Sequence, residues 1–142
     1  MFGTIVVGAD DSPTAMHAVE QALVLAKLSG GTLHFVTAYT ARRGAPGGDV
    51  PDEFHYAVGS DADAATLLAR LATMARAEGV PCESHPVPGD PAEALVEAAD
   101  RVGADLIVVG NKGMKGARRV LGSVPNSVAH KAGCAVLILP TT

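Results

Sequence analysis

The residues with the most evident chemistry stand in one glycine-rich segment, Gly110-Asn111-Lys112-Gly113-Met114-Lys115-Gly116, which Gly122-Ser123 follows a few residues later. Glycine permits positive φ and close backbone approach, so successive N–H groups in such a segment can converge on an anion. A helix beginning near Ser123 would add free N–H groups and the positive end of its dipole. Four of the eleven basic residues lie between Gly110 and Ser123, a stretch called the glycine segment below: Lys112, Lys115, Arg118 and Arg119. The pattern predicts a phosphate cradle that favours a multiply charged anion; the alternative is a tight turn beside a solvated basic surface.

A second polar residue, Asp10, comes shortly after a β-branched run that ends at Gly8. Its negative charge makes it a poor phosphate ligand, but it could accept hydrogen bonds from ribose hydroxyls or from an adenine amino group. The alternative role is structural, as a carboxylate at a helix start beside Ser12. Chemistry alone leaves both roles open.

Signatures of catalysis are missing from the sequence. It has neither a G-x-x-x-x-G-K-[ST] loop nor a G-x-G-x-x-G fingerprint, so P-loop catalysis and ordinary dinucleotide binding are not supported. It also lacks H-E-x-x-H, G-x-S-x-G and a Ser–His pair at a recognisable spacing. The histidines are scattered and none pairs at a metal-ligand spacing, so each is expected to be structural or exposed: His17, His34, His55, His85 and His130. We therefore expect a binding protein without catalytic residues or a metal site.

Composition bounds the class of protein. The chain has 142 residues, of which 48% are hydrophobic and 18% charged, and this predicts one globular domain over residues 1–142. A formal charge of −4 argues against a broad basic surface for nucleic acid. No apolar run approaches the roughly 18 residues that span a bilayer, so no membrane partner is expected. Cys82 and Cys134 lack C-x-x-C spacing, which predicts a cytoplasmic protein whose cysteines are small core residues rather than redox sensors.

Strand and helix patterns alternate along the chain. Apolar runs predict strands at 4–8, 32–39, 81–88, 105–109 and 135–139, and the prolines of the third place it at a sheet edge. Helices are predicted from Pro13 to Ser29 with Ser12 as cap, over 61–78, from Pro91 after Asp90, and over 125–132. Residues 40–60 have no sustained periodicity and are expected to form a long loop, either a lid or disordered.

This alternation predicts an open five-stranded parallel sheet with helices on both faces. The first and fourth strands are the most apolar, which favours the strand order 3-2-1-4-5. In such a sheet, ligands bind beyond the carboxyl ends of the strands at the switch point, here between the first and fourth strands. Asp10 follows one of these strands and Gly110 ends the other, so this placement favours ligand binding over a mere turn.

The glycine segment resembles the nucleotide motif of the universal stress protein family, G-x-x-G followed by a spacer and G-[ST]. Here Gly110-Asn111-Lys112-Gly113 and Gly122-Ser123 match it, although the spacer at 114–121 is one residue shorter than the usual one. Gly8-Ala9-Asp10-Asp11-Ser12 is similar to the family's opening G-x-D-x-S, and the resemblance covers the whole chain. It implies a Rossmann-like fold of the adenine nucleotide alpha hydrolase-like type.

The resemblance also implies a function, namely regulatory binding of ATP, with or without Mg²⁺, in a stress-response homodimer. Gly8, Asp10 and Ala38 would meet adenine or ribose. Phosphates and ribose would be wrapped by Gly110, Asn111, Lys112, Gly113, Met114, Lys115 and Gly116. Gly122, Ser123, Val124 and Pro125 would close the phosphate site. The dimer would form through the last strand, Ala135–Leu139, whose free apolar edge is otherwise a hazard.

Three alternative functions stay open. Some actinobacterial relatives are thought to bind cyclic AMP, and the segments 52–56 and 136–142 look like that subgroup; the four cations of the glycine segment favour ATP. The second is a slow ATPase or nucleotidyl transferase, and weak hydrolysis would need only bound Mg²⁺ and a poised water. A ligand-free dimerisation or interaction module is the third.

Overall fold

The computed structural model describes residues 1–10, 12–39, 61–111 and 123–140. Within these ranges strands and helices alternate. The strands are β1 (Thr4–Gly8), β2 (Thr32–Tyr39), β3 (Cys82–Pro88), β4 (Leu106–Gly110) and β5 (Ala135–Leu139). The helices are α1 (Pro13–Ser29), α2 (Asp61–Ala77), α3 (Pro91–Val102) and α4 (Ser123–Lys131). The long loop expected at 40–60 and most of the glycine segment, at 112–122, lie outside the described residues.

The five strands form one parallel sheet in the order β3-β2-β1-β4-β5, which confirms the predicted order. Apolar side chains of β1 and β4 are buried, since helices cover both faces of the sheet. One buried cluster joins α1 and α2 to the sheet, and a second joins α3 and α4 to the opposite face. No helix in the described ranges is long and apolar enough to cross a membrane.

The helix starts follow from capping residues at the carboxyl edge of the sheet. The Ser12 hydroxyl accepts a hydrogen bond from the Ala15 N–H at 3.1 Å, and Pro13 occupies the first turn of α1. An Asp90 carboxylate oxygen accepts from the Glu93 N–H at 2.9 Å and caps α3 in the same way. Both caps were predicted from the sequence and are confirmed.

Several element boundaries differ from the sequence expectation by one or two residues: β3 begins at Cys82 rather than at 81, α2 ends at Ala77 rather than at 78, and α4 ends at Lys131 rather than at 132. α4 begins at Ser123, two residues before the predicted Pro125, because proline is tolerated in the first helical turn, where its missing N–H has no intrahelical partner. β4 spans Leu106–Gly110 and is therefore shifted by one residue from the predicted 105–109.

The two sheet edges are of different kinds. β3 pairs only with β2 among the described strands, and its prolines remove N–H donors from this edge, as predicted. β5 pairs only with β4 in the same set; its first residue is exposed and the rest are half-buried, although all five are apolar. An apolar edge with unpaired backbone groups favours pairing with another strand.

Candidate functional site

A pocket with an empty volume of about 520 Å³ opens at the carboxyl edge of the sheet, at the predicted switch point between β1 and β4. Residues from six elements line it, namely β1 with the turn that follows it, β2, β4, α1, α3 and α4: Gly8, Ala9, Asp10, Thr14, Ala15, Val36, Ala38, Pro91, Leu95, Val109, Gly110, Val124 and Pro125.

The pocket combines a small apolar floor with helix N-termini at its rim. Val36 and Ala38 of β2 and Val109 of β4 supply side chains without polar atoms. The first turns of α1, α3 and α4 also reach the pocket, through Thr14, Pro91 and Val124. Helix N-termini carry partial positive charge, so this rim favours an anionic group while the floor favours a flat apolar ring.

Asp10 is half-buried and lines the pocket, and it also has a structural contact. Its Oδ1 accepts a hydrogen bond from the Ser12 N–H at 2.7 Å, which fixes the turn between β1 and α1. The two roles considered from the sequence are therefore compatible: one oxygen holds the helix start while the side chain belongs to the pocket wall. The Ala9 N–H, which donates to the Val36 carbonyl at 2.9 Å, ties this turn to β2.

Glycine at two strand ends allows close packing, and at Gly110 it is required. A Cβ on Gly110 would collide with the Thr14 methyl group and lie 3.1 Å from the Thr14 carbonyl oxygen. A Cβ on Gly8 would lie 3.0 Å from Leu95 Cδ1. These glycines therefore bring α1 and α3 against the strand ends, which places the helix N-termini at the pocket.

The structure brings six of the predicted site residues together on the pocket wall: Gly8, Asp10, Ala38, Gly110, Val124 and Pro125. Ser123 is the first residue of α4. Lys112, Gly113, Met114, Lys115, Gly116 and Gly122 lie outside the described residues.

Asn111 is a predicted site residue that lies buried beside the end of β5. Its side chain is 2% exposed, it does not contribute to the described pocket wall, and its N–H donates to the Leu139 carbonyl at 2.9 Å. Its Oδ1 is buried without a hydrogen-bond partner in the described part of the chain.

Sequence reasoning missed several wall residues. The methyl groups of Thr14 and Leu95 come from helix positions that carry no chemical signal, and Val36 and Val109 resemble any buried strand residue. Val36 and Val109 could have been predicted only from the parallel register. That register pairs Gly8 with Val36 on β2 and places β4 on the other side of β1.

Sequence reasoning also missed a contact between two histidines. His34 Nδ1 lies 2.9 Å from His85 Nε2, and the ligand atoms of these two residues and Glu83 all lie within 4.8 Å of one another. Burial lowers the pKa of His34, and the nearby Glu83 carboxylate opposes that shift. Burial also lowers the pKa of His85, and the charges of His34 and Arg101 add to the effect. The sequence expectation concerned spacing along the chain, whereas this contact arises from the pairing of β2 with β3.

The two cysteines are both free thiols and both half-buried. Burial raises the pKa of Cys134, and the carboxylates of Asp100 and Asp105 raise it further. A thiol with a raised pKa holds little thiolate at neutral pH, which fits the expected core role better than a redox sensor.

Sequence comparison places the chain among known proteins. The model of the universal stress protein family matches residues 1–140. The chain belongs to the universal stress protein family. Universal stress protein Rv1636 of Mycobacterium tuberculosis is 37% identical over 144 residues, which cover 99% of this chain and 98% of that protein.

Solved structures of universal stress proteins share the fold. A crystal structure of a universal stress protein in complex with cAMP is 36% identical, with a TM-score of 0.76, over 99% of this chain and 98% of that one. The universal stress protein from Archaeoglobus fulgidus in complex with dAMP is 26% identical, with a TM-score of 0.68, over 97% of each chain. The Rossmann-like architecture implied by the glycine segment is thereby confirmed.

Proposed function

We propose that this universal stress protein binds an adenine nucleotide in the pocket between β1 and β4. The observation that carries the proposal is the pocket itself, in which an apolar floor adjoins Asp10 and the first turns of three helices. An adenine ring fits the floor formed by Val36 and Ala38, and ribose hydroxyls would donate to the Asp10 carboxylate. The phosphates would then face the helix N-termini.

Ligands of related proteins support the same class of molecule. The relative that is 36% identical was crystallised with cAMP and the one that is 26% identical with dAMP, both of which contain adenine and phosphate. The shared chemistry is a purine ring joined through a sugar to an anionic group. The pocket described above has a place for each part.

ATP and cAMP are the two candidate nucleotides. Lys112, Lys115, Arg118 and Arg119 give the glycine segment four positive charges, which match a triphosphate better than the single charge of a cyclic phosphate. Mg²⁺ would arrive with the triphosphate, whose oxygens are the ligands that this ion prefers. The relative crystallised with cAMP favours the second candidate.

Mass spectrometry of the protein purified without added ligand identifies a nucleotide that is carried through purification. Calorimetric titration with ATP and cAMP, each with and without Mg²⁺, then ranks the two candidates. We expect tighter binding of ATP, whereas tighter binding of cAMP would select the second candidate. Equal indifference to both would overturn the proposed function.

Asp10→Asn tests the pocket without disturbing the turn. The amide oxygen keeps an acceptor for the Ser12 N–H, while the second carboxylate oxygen becomes an NH₂ donor that repels ribose hydroxyl protons. Loss of a charge-assisted hydrogen bond predicts roughly 10- to 100-fold weaker nucleotide binding. Asp90→Asn is the matched control, because Asp90 caps α3 at the same sheet edge but does not line the pocket.

We also propose that the protein acts by binding rather than by catalysis, as a cytoplasmic regulator in a stress response. The described pocket wall contains one acidic residue, Asp10, and no histidine or cysteine. The free thiols of Cys82 and Cys134 fit a reducing compartment. ATP turnover within minutes that Asp10→Ala stops without loss of binding would instead indicate an enzyme.

Homodimerisation through β5 completes the proposed function. The apolar, half-buried edge strand supports it, because a second copy could cover the same edge by strand pairing.

A further inference from the structure

We propose that His34, Glu83 and His85, here called the histidine cluster, bind a divalent transition-metal ion of the Zn²⁺ type. Two imidazole nitrogens and one carboxylate oxygen form the donor set of many zinc sites that keep a fourth position open. The three ligand atoms already lie within 4.8 Å of one another.

The register of two neighbouring strands brings the histidine cluster together. β2 and β3 are parallel, His34 pairs with Glu83, and Val36 pairs with His85. Side chains at alternate positions of a strand share one face of the sheet, so all three ligands project from the face that α3 covers. The backbone of a sheet holds these donors in place before any ion binds.

The separation of the two imidazoles suits a shared ion. Zn–N bonds of about 2.0 to 2.1 Å at a tetrahedral angle require the two nitrogens to be roughly 3.4 Å apart. His34 Nδ1 and His85 Nε2 lie 2.9 Å apart and the ring centroids 5.1 Å apart, so the two nitrogens face each other. Ion binding requires the rings to turn until both nitrogens face the ion, and the half-buried His85 has more room to turn than the buried His34.

Metal binding requires no change in the total charge of the two imidazoles. At 2.9 Å one ring N–H donates a hydrogen bond to the nitrogen of the other ring. The donating imidazole binds metal through that nitrogen once its proton has moved to the far nitrogen of the same ring, which is the other neutral tautomer. The burial of His34 favours a neutral imidazole.

Exposure and charge set the character of the site. His34 is 5% exposed, whereas Glu83 is exposed, so the ion would be bound at the sheet edge with one side open to water. The Arg101 guanidinium acts on His85 and opposes a cation, but Glu97 lies 3.6 Å from it and offsets part of its charge. The net electrostatic attraction for a cation therefore comes from the Glu83 carboxylate.

The histidine cluster shares no residue with the nucleotide pocket but lies next to it. His85 pairs with Val36 of the pocket floor, and His34 lies two residues before Val36 on β2, about 7 Å at the usual rise per residue. Metal binding is therefore measured on nucleotide-free protein, which keeps its failure distinguishable from failure of the proposed function.

Zn²⁺ titration of the full chain tests the proposal. The protein is produced without a polyhistidine tag, freed of nucleotide and treated with a chelator, because tags and nucleotides both bind zinc. Calorimetry is expected to show one Zn²⁺ per chain. His85→Ala should weaken binding about 100-fold and Glu83→Gln about 10-fold, since each removes one ligand. His17→Ala is the matched control, because His17 is an exposed histidine of α1, and it should bind as the parent does.

Two further readouts distinguish metal coordination from a structural effect. Co²⁺ in place of Zn²⁺ should give the visible absorption of a tetrahedral site in the parent and in His17→Ala, and lose it in His85→Ala. Zn²⁺ should raise the melting temperature of the parent but not of His85→Ala. Circular dichroism verifies that Glu83→Gln, at an exposed position, is folded. Absence of stoichiometric binding, or equal affinity of the parent and both ligand variants, overturns the proposal.

Discussion

At the scale of single residues, the strand-end glycines set how closely helices approach the pocket. Gly110→Ala should lower the free energy of unfolding by about 1 to 3 kcal/mol, because the new methyl group meets both the methyl group and the backbone of Thr14. Urea unfolding measures the change. Gly8→Ala should cost less, since the Cδ1 of Leu95 at 3.0 Å is the end of a flexible side chain.

Two variants control this prediction. Gly3→Ala adds the same methyl group where nothing lies within 4 Å, so its unfolding curve should match that of the parent within about 0.5 kcal/mol. Thr14→Ser in the Gly110→Ala background removes the colliding methyl group and should restore part of the lost stability. Additive effects of the two substitutions would contradict the packing explanation.

The thiol of Cys134 carries a second prediction at this scale. Its raised pKa, caused by burial and by the carboxylates of Asp100 and Asp105, keeps the thiolate fraction low at about pH 8. In a Cys82→Ala background, alkylation by iodoacetamide should therefore be slower in the folded protein than in denaturant, and should keep rising with pH beyond the range of an ordinary thiol. Mass spectrometry follows the label. Labelling as fast in the folded state would support a reactive sensor cysteine.

At the scale of elements, the start of α1 depends on one hydroxyl group. Ser12→Ala removes the acceptor of the Ala15 N–H and should lower the free energy of unfolding by about 1 kcal/mol. Thr66→Ala is the matched control, because the Thr66 hydroxyl donates to the Ala62 carbonyl within α2 and alanine is the better helix former. Thermal or urea unfolding should show a loss only for Ser12→Ala; equal losses would contradict the capping argument.

Elements were predictable where local chemistry decides them. Ser12 and Asp90 indicate helix starts because their side chains accept hydrogen bonds from N–H groups three residues further along the chain. The prolines of β3 indicate an edge strand because they have no N–H to donate to a second neighbouring strand. The predicted start of α4 was wrong by two residues because proline is tolerated at several positions of the first helical turn, so Pro125 does not fix the first residue.

The pocket floor and the histidine cluster were harder to predict from the sequence, and for the same reason. Each depends on which residues lie opposite one another in the sheet, and register is a property of two strands that are far apart in the chain. His34 and His85 lie 51 residues apart, so no spacing rule connects them. Asp10 and Gly110, by contrast, were found because each directly follows or ends a central strand.

At the scale of the whole molecule, the candidate sites are distributed between the carboxyl end of the sheet and its two edges. The pocket lies at the carboxyl edge, where α1, α3 and α4 begin. The histidine cluster lies nearer the amino end of β2, at the β3 edge, and the apolar β5 forms the opposite edge. A dimer formed through β5 would therefore not cover the histidine cluster in either copy.

The edge of β5 gives the last prediction. The Leu139 carbonyl accepts from the Asn111 N–H, so the backbone groups of Leu139 and Leu137 face β4, and those of the alternating Val136 and Ile138 face outward. Val136→Pro removes one outward N–H without removing a bond to β4, and should convert a dimer into a monomer. Light scattering at two concentrations measures the mass. Val136→Thr keeps both the N–H and the branched shape and should remain dimeric. A parent protein that is monomeric at both concentrations, or a folded Val136→Pro dimer, would contradict pairing through β5.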